Sequence, residues 1–217
     1  GLNINVGNLD DSTVRAMIIS GKKANEINNP IVLDPVGAGA SKLRTQINLK
    51  LLSEIKFSVI RGNVSEIKSL ASGNMSTKGV DASESDKITE NNLDETVKFV
   101  KSFSSKINSV IAMTGAIDIV SDNQKTYIIR NGHSMMATVT GTGCQLSAMT
   151  AAFIAANPNR ILESAAASVC AMGLAGEIAY NRLTKLDGNS SYRNYIIDAI
   201  YNLTPEELDK GAKYEIR

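Results

Sequence analysis

The chain has 217 residues, 43% hydrophobic and 21% charged, enough for one large domain with a full core. Lys and Arg number 23 against 22 Asp and Glu, a net charge of +1, which excludes the basic footprint of a nucleic-acid binder or of a protein held on anionic lipid. Cys144 and Cys170 lie far apart and outside any Cys-x-x-Cys spacing, which disfavours a disulfide scaffold and a zinc site and suits a reducing cytoplasm. No apolar run reaches the roughly 18 to 20 residues of a membrane span, and no signal peptide is legible.

Strands and helices alternate along the chain, which predicts a layered α/β domain with a largely parallel sheet. Residues 2–6, directly after Gly1, already read as a strand, and a further piece is expected upstream. After Gly7-Asn8, Asp11 or Ser12 caps a helix carrying Val14, Met17, Ile18, Ala24 and Ile27, stopped by Asn28-Asn29-Pro30. Ile31-Val32-Leu33 is a buried strand ending at Asp34-Pro35-Val36-Gly37-Ala38-Gly39-Ala40. A helix through Leu49, Leu52 and Ile55 leads to the strand 57–60, which ends at Arg61-Gly62-Asn63, and another helix opens near Ser65-Glu66-Ile67. Residues 72–90, rich in Ser, Asp and Lys, read as a surface excursion. Leu93, Val97, Val100 and Phe103 mark a helix, and residues 110–113 a strand ending at Thr114-Gly115. A hairpin over 118–121 and 126–130 turns at Asp122-Asn123. Helices follow at Cys144, over 161–181 and over 192–203, and no repeat or linker divides residues 1–217, so they form one domain.

The densest chemical signal is Thr140-Gly141-Thr142-Gly143-Cys144, directly before an apolar helix. Glycines admit close approach to a ligand, and the first N–H groups of a helix point outward with partial positive charge, so this stretch predicts an anion hole. Cys144 sits at its lip, where a helix end favours a thiolate. Ligands of open α/β sheets bind off the carboxyl ends of the strands. Three such ends carry polar or glycine-rich signals: Asp34 with its loop, Arg61-Gly62-Asn63 with Glu66, and Thr114-Gly115. Asp34 and Glu66 are candidate Mg²⁺ ligands, directly or through water, and Arg61 suits a phosphate. Together these parts make a phosphoryl-transfer site. No Gly-x4-Gly-Lys-[Ser/Thr] loop is present, and the dinucleotide fingerprint fails at Lys42 and at Leu146, which disfavours hydride transfer.

Those segments resemble one family. Asn5-Val6-Gly7-Asn8-Leu9, the 34–40 loop with Arg44-Thr45, Ile60-Arg61-Gly62-Asn63 with Ser65-Glu66-Ile67, Lys78-Gly79-Val80-Asp81, Met113-Thr114-Gly115 with Asp118, Asn131-Gly132-His133 and Thr140–Cys144 occur in the order found in hydroxyethylthiazole kinases. These belong to the ribokinase-like small-molecule kinases, most of which have Asp where Cys144 stands. The resemblance implies a ribokinase-like fold with helices on both faces of a mostly parallel sheet. It also implies phosphorylation, with ATP and Mg²⁺, of the primary alcohol of 4-methyl-5-(2-hydroxyethyl)thiazole in thiamine biosynthesis. Carried over by position, Arg61, Thr114, Asn63 and Gly115 would serve ATP, and Gly141 and Gly7 the thiazole. Asp34 and Glu66 would serve the metal, and Cys144 with Gly141, Thr142 and Gly143 the chemistry. A cytoplasmic homotrimer with pockets at subunit boundaries is implied too, as is an N-terminal segment, absent from this sequence, that supplies thiazole-binding side chains.

Blander readings stand beside these. Asp34 alone would be a turn former before Pro35, Glu66 a capping-box acid facing Asn63, and Arg61 a partner of Glu66. Cys170 among alanines reads as core, His133 as a loop residue, and Met135-Met136 as core or interface. The Lys and Glu residues of 50–68 read as a solvated face. Competing functions are another ribokinase-like activity, such as a pyrimidine kinase or a nucleotide-hydrate dehydratase, and a non-catalytic nucleotide-binding subunit.

Overall fold

A computed structural model describes residues 1–73 and 87–217. Seven strands form one sheet in sequence order: β1 (Leu2–Asn5), β2 (Ile31–Asp34), β3 (Val59–Asn63), β4 (Val110–Thr114), β5 (Asp118–Ser121), β6 (Thr126–Ile129) and β7 (Tyr214–Ile216). The first four run parallel. The last three pairings are antiparallel, so the sheet is mixed. Helices α1 (Asp11–Glu26), α2 (Lys42–Glu54), α3 (Val64–Ser72) and α4 (Leu93–Ile107) connect the parallel strands. Because β1 to β4 advance in one direction and parallel crossovers share one hand, these four helices fall on one face. The other face is covered by α5 (Thr142–Ala156), α6 (Ile161–Asn181), α7 (Asn189–Asn202) and α8 (Pro205–Gly211).

Two-residue alternation assigns each strand side chain to a face. Ile31, Leu33, Ile60, Ile111, Met113, Ile119 and Ile128 pack under α1–α4. Val32, Val59, Val110, Ala112, Val120, Tyr127 and Ile129 pack under α5–α7. Cys170 lies in this second core, 3% exposed, where burial pushes its thiol up to about 12. Met135 and Met136 pack against the same core. The α6 helix corrects one expectation: by length and composition its 21 residues suffice to cross a membrane. Ser164 and Ser168 interrupt the apolar run, and most of the helix is buried against the sheet and its neighbours.

Several boundaries differ from the reading of the sequence. The cap of α1 is Asp10, one residue earlier than expected, because its Oδ1 reaches the Ser12 and Thr13 amides at 2.7 and 2.8 Å while Thr13 Oγ1 accepts from the Asp10 amide. Ile88, inside the stretch read as surface, is buried in the first core. The motif Lys78-Gly79-Val80-Asp81 lies outside the described residues. Two C-terminal elements went unforeseen. The α8 helix is announced by a legible signal, Thr204-Pro205-Glu206-Glu207, a capping box with proline at the first turn. The three-residue β7 leaves no run to detect; it pairs with β6 and is tied by ion pairs from Glu215 to Arg130 and from Arg217 to Asp94.

Candidate active site

The alternation that sorts the core also builds the site. Ile4, Leu33, Ile60 and Met113 point to the first face, so Asn5, Asp34, Arg61 and Thr114, one residue further on, point to the other, beneath the start of α5. Asn5 is in register with Asp34 on adjacent strands. Arg61 Nη2 donates to Thr114 Oγ1 at 2.8 Å, and its Nη1 lies 3.8 Å from Asp34 Oδ1. The alternative pairing of Arg61 with Glu66 does not form.

The α5 helix begins without a side-chain cap. Gly141 occupies the N-cap at φ 98°, a left-handed conformation that glycine adopts freely, and it supplies no acceptor to the first amides. Open space surrounds the position a Gly141 side chain would take, whereas a Cβ on Gly143 would lie 2.5 Å from Arg61 Nη1. The guanidinium therefore packs directly against the first turn of the helix. A cation and the positive end of a helix dipole in contact disfavour each other until an anion bridges them. Cys144 is exposed at the mouth, and Asn5 Nδ2 donates to its Sγ at 3.2 Å.

The two candidate metal ligands differ. Asp34 is 1% exposed; its Oδ2 accepts from Asn5 Nδ2 and from Ser147 Oγ, both at 2.7 Å. Its Oδ1 is buried with no hydrogen-bond partner, an orphan aimed toward Arg61. Glu66 uses both oxygens on backbone: Oε2 accepts from the Asn63 amide at 2.9 Å, closing a capping box, and Oε1 accepts from the Gly37 amide at 3.0 Å. Burial pushes its carboxyl above the usual range, against the pull of those amides. Among the described residues no group of three or more His, Cys, Asp or Glu side chains could encase a cation. One free carboxylate oxygen fits Mg²⁺, which takes few protein ligands and fills its shell with phosphate oxygens and water.

The remaining predicted residues mostly brace the rim. Asn63 N-caps α3, its Oδ1 accepting from the Glu66 amide and Ser65 Oγ. The Gly115 amide donates to Asp118 Oδ1 at 2.9 Å, and burial pushes the Asp118 carboxyl up to about 7. Gly7 is held at both ends, its amide on Asn5 Oδ1 and its carbonyl on Arg44 Nη2. Thr142 Oγ1 turns back to the Val139 carbonyl. His133 caps a short 3-10 turn by accepting from the Met135 amide and stacks on Tyr180. Reading the sequence passed over Asn5 and Ser147 as chemical groups. Asn5 lay in a quoted motif, and Ser147 stands one helical turn beyond Gly143, a spacing that aims it at the same strand ends. A separate cavity of about 730 Å³ opens at the amino ends of the strands, lined by polar groups such as Asn28, Lys56, Ser58 and Asn108.

Residues 1–206 match the model of the hydroxyethylthiazole kinase family. The chain is 59% identical over 215 residues to a hydroxyethylthiazole kinase of Clostridium acetobutylicum, covering 99% of this chain and 79% of that one. It is 48% identical over 210 residues to its counterpart in Clostridium tetani, covering 97% and 75%. Among solved structures, a hydroxyethylthiazole kinase protein from Pyrococcus horikoshii OT3 superposes with a TM-score of 0.84 at 33% identity, covering 99% of this chain and 76% of that one. A Staphylococcus aureus pyridoxal kinase in complex with ADP shares the fold, with a TM-score of 0.61 at 15% identity and coverage of 99% and 72%. With four parallel strand ends converging on an uncapped glycine-led helix, and with relatives of this likeness over its length, the chain belongs to the hydroxyethylthiazole kinase family.

Proposed function

We propose that this protein is a kinase that transfers the γ-phosphoryl group of ATP to the primary alcohol of 4-methyl-5-(2-hydroxyethyl)thiazole, a step of thiamine biosynthesis. The observation that carries the reading is the convergence of Arg61, the uncapped N-terminus of α5 and the orphaned Asp34 Oδ1 beside the exposed Cys144. Family membership supports the kinase chemistry and ATP as co-substrate.

In this reading Arg61, steadied by Thr114, draws the phosphates toward the α5 amides. The amides of Thr142, Gly143 and Cys144 face the charge that builds on the transferred group, where fixed donors are most effective. Gly141 leaves the mouth open for the thiazole, and Cys144 orients the alcohol and takes its proton as the oxygen–phosphorus bond forms and ADP departs. Mg²⁺ would rest on Asp34 Oδ1 and neutralise phosphate charge. Glu66 would serve it indirectly, by holding the Gly37 and Asn63 loops in place. Asn63, Gly115 and Gly7 support the same surface through their loops. A homotrimer in the cytoplasm accompanies this reading; two free thiols suit the compartment, and light scattering measures the assembly.

The test is an ADP-release assay with ATP, Mg²⁺ and hydroxyethylthiazole beside a hydroxymethylpyrimidine control, repeated with EDTA. Turnover confined to the thiazole and abolished by EDTA is the expected result. Turnover with the pyrimidine instead would replace the assigned acceptor, and ATP binding without turnover on either would favour a non-catalytic subunit.

A further inference from the structure

The geometry points to Asn5 as a positioning residue that holds the Cys144 sulfur and the Asp34 carboxylate in one fixed arrangement for phosphoryl transfer. Its amide has every polar end engaged. Oδ1 accepts from the Gly7 amide at 2.9 Å, and Nδ2 donates to Asp34 Oδ2 at 2.7 Å and to Cys144 Sγ at 3.2 Å. Because the Gly7 N–H must meet an oxygen, the amide cannot flip, and its NH₂ group faces the acid and the sulfur.

Two consequences follow for the chemistry. The sulfur is an acceptor from below, so a proton taken from an alcohol enters from the open side, and an N–H donor favours negative charge on the atom that receives it. On the acid, Asn5 and Ser147 occupy Oδ2 together, which leaves Oδ1 as the oxygen available to a cation. Asn5 thus sets the working direction of both groups and keeps a neutral donor between two atoms that would otherwise repel. Direct contact with substrate is not required of it. This inference rests on the reading of Cys144 as the group facing the alcohol.

The test uses Asn5→Asp, which keeps the acceptor for Gly7 and replaces the donor with a charged oxygen. Iodoacetamide reacts at exposed Cys144 and spares buried Cys170, so the adduct mass reports Cys144 alone. Asn5→Asp is expected to slow alkylation and to lower kcat, each by about tenfold or more, with ATP affinity measured in EDTA within about twofold of wild type. Ser147→Ala, whose lost hydroxyl donates to Asp34 and to the Gly143 carbonyl but not to the sulfur, should lower kcat and leave alkylation unchanged. Asn5→Leu reads the same rates without added charge should the aspartate variant fail to fold, as a melting curve reveals. Unchanged alkylation or unchanged kcat in a folded Asn5 variant overturns the proposal. If Cys144→Ala instead retains full turnover, the Cys144 reading fails, while the alkylation rates still judge what Asn5 does to the sulfur.

Discussion

Replacing Gly143 by alanine separates stability from nucleotide binding. The new Cβ would stand 2.5 Å from Arg61 Nη1, 3.0 Å from Nη2 and 3.1 Å from Cζ. Comfortable contact needs about 3.5 Å, so the guanidinium must retreat by about 1 Å. Its 2.8 Å bond to Thr114 then opens beyond the range of a hydrogen bond. The head of Arg61 is the end of a flexible side chain, so the fold yields cheaply there. The helix itself gains up to about 1 kcal/mol from exchanging glycine for alanine, against about 1.5–3 kcal/mol for a lost bond to a charged group. Net stability therefore falls by no more than about 3 kcal/mol, while a misaimed Arg61 weakens ATP by about tenfold or more. Titration calorimetry with a non-hydrolysable ATP analogue reads the affinity, and thermal melting reads the fold. Affinity within about twofold of wild type in a folded Gly143→Ala protein would refute both the packing argument and the role given to Arg61.

Three further outcomes are expected. Cys144→Ala should lower kcat by about a hundredfold, at the low end of general-base effects, with ATP affinity retained; unchanged turnover removes Cys144 from the mechanism. Asp118→Asn keeps an acceptor for the Gly115 amide. The wild-type carboxyl at about 7, against an ordinary 3.8, makes the folded state bind the extra proton between those values, so stability falls as pH rises through that window. The variant should therefore melt above wild type at pH 8 and level with it near pH 3.5, and equal differences at both values would count against the assignment. Gly173→Ala in α6 places a Cβ 2.6 Å from Asn131 Cβ and 2.7 Å from its carbonyl, backbone that cannot step aside. Overpacking of this kind costs about 1–3 kcal/mol, or several degrees of melting temperature, and an unaltered melting curve would contradict it.

Much of this was legible in the residues because local rules and the fold agree. Short apolar strands ending in Asp34, Arg61 and Thr114 announced parallel strand ends, and a glycine-led stretch announced the start of a helix without a side-chain cap. What stayed hidden depended on distance along the chain. Nothing near Asn5 reveals that its amide bridges Asp34, 29 residues away, and Cys144, 139 away. Glu66 was correctly legible as a capping acid, but its second bond, to the Gly37 amide, arises only when two loops meet. The membrane criterion missed α6 because serines broke the run, although buried helices tolerate hydroxyls that bond back to their own carbonyls, as Ser168 does to Ala165.

The sheet also carries a history. Its strands lie side by side in the order in which they are synthesised, so each one emerging from the ribosome finds its neighbour already made. The helix bearing Cys144 breaks that order: it returns across the sheet to meet strands whose synthesis ended more than a hundred residues before. Closing loops of that length is slow compared with pairing adjacent strands. The site therefore cannot assemble before α5 has been made, long after the strands whose ends it meets, and α6–α8 and β7 follow it onto the sheet later still.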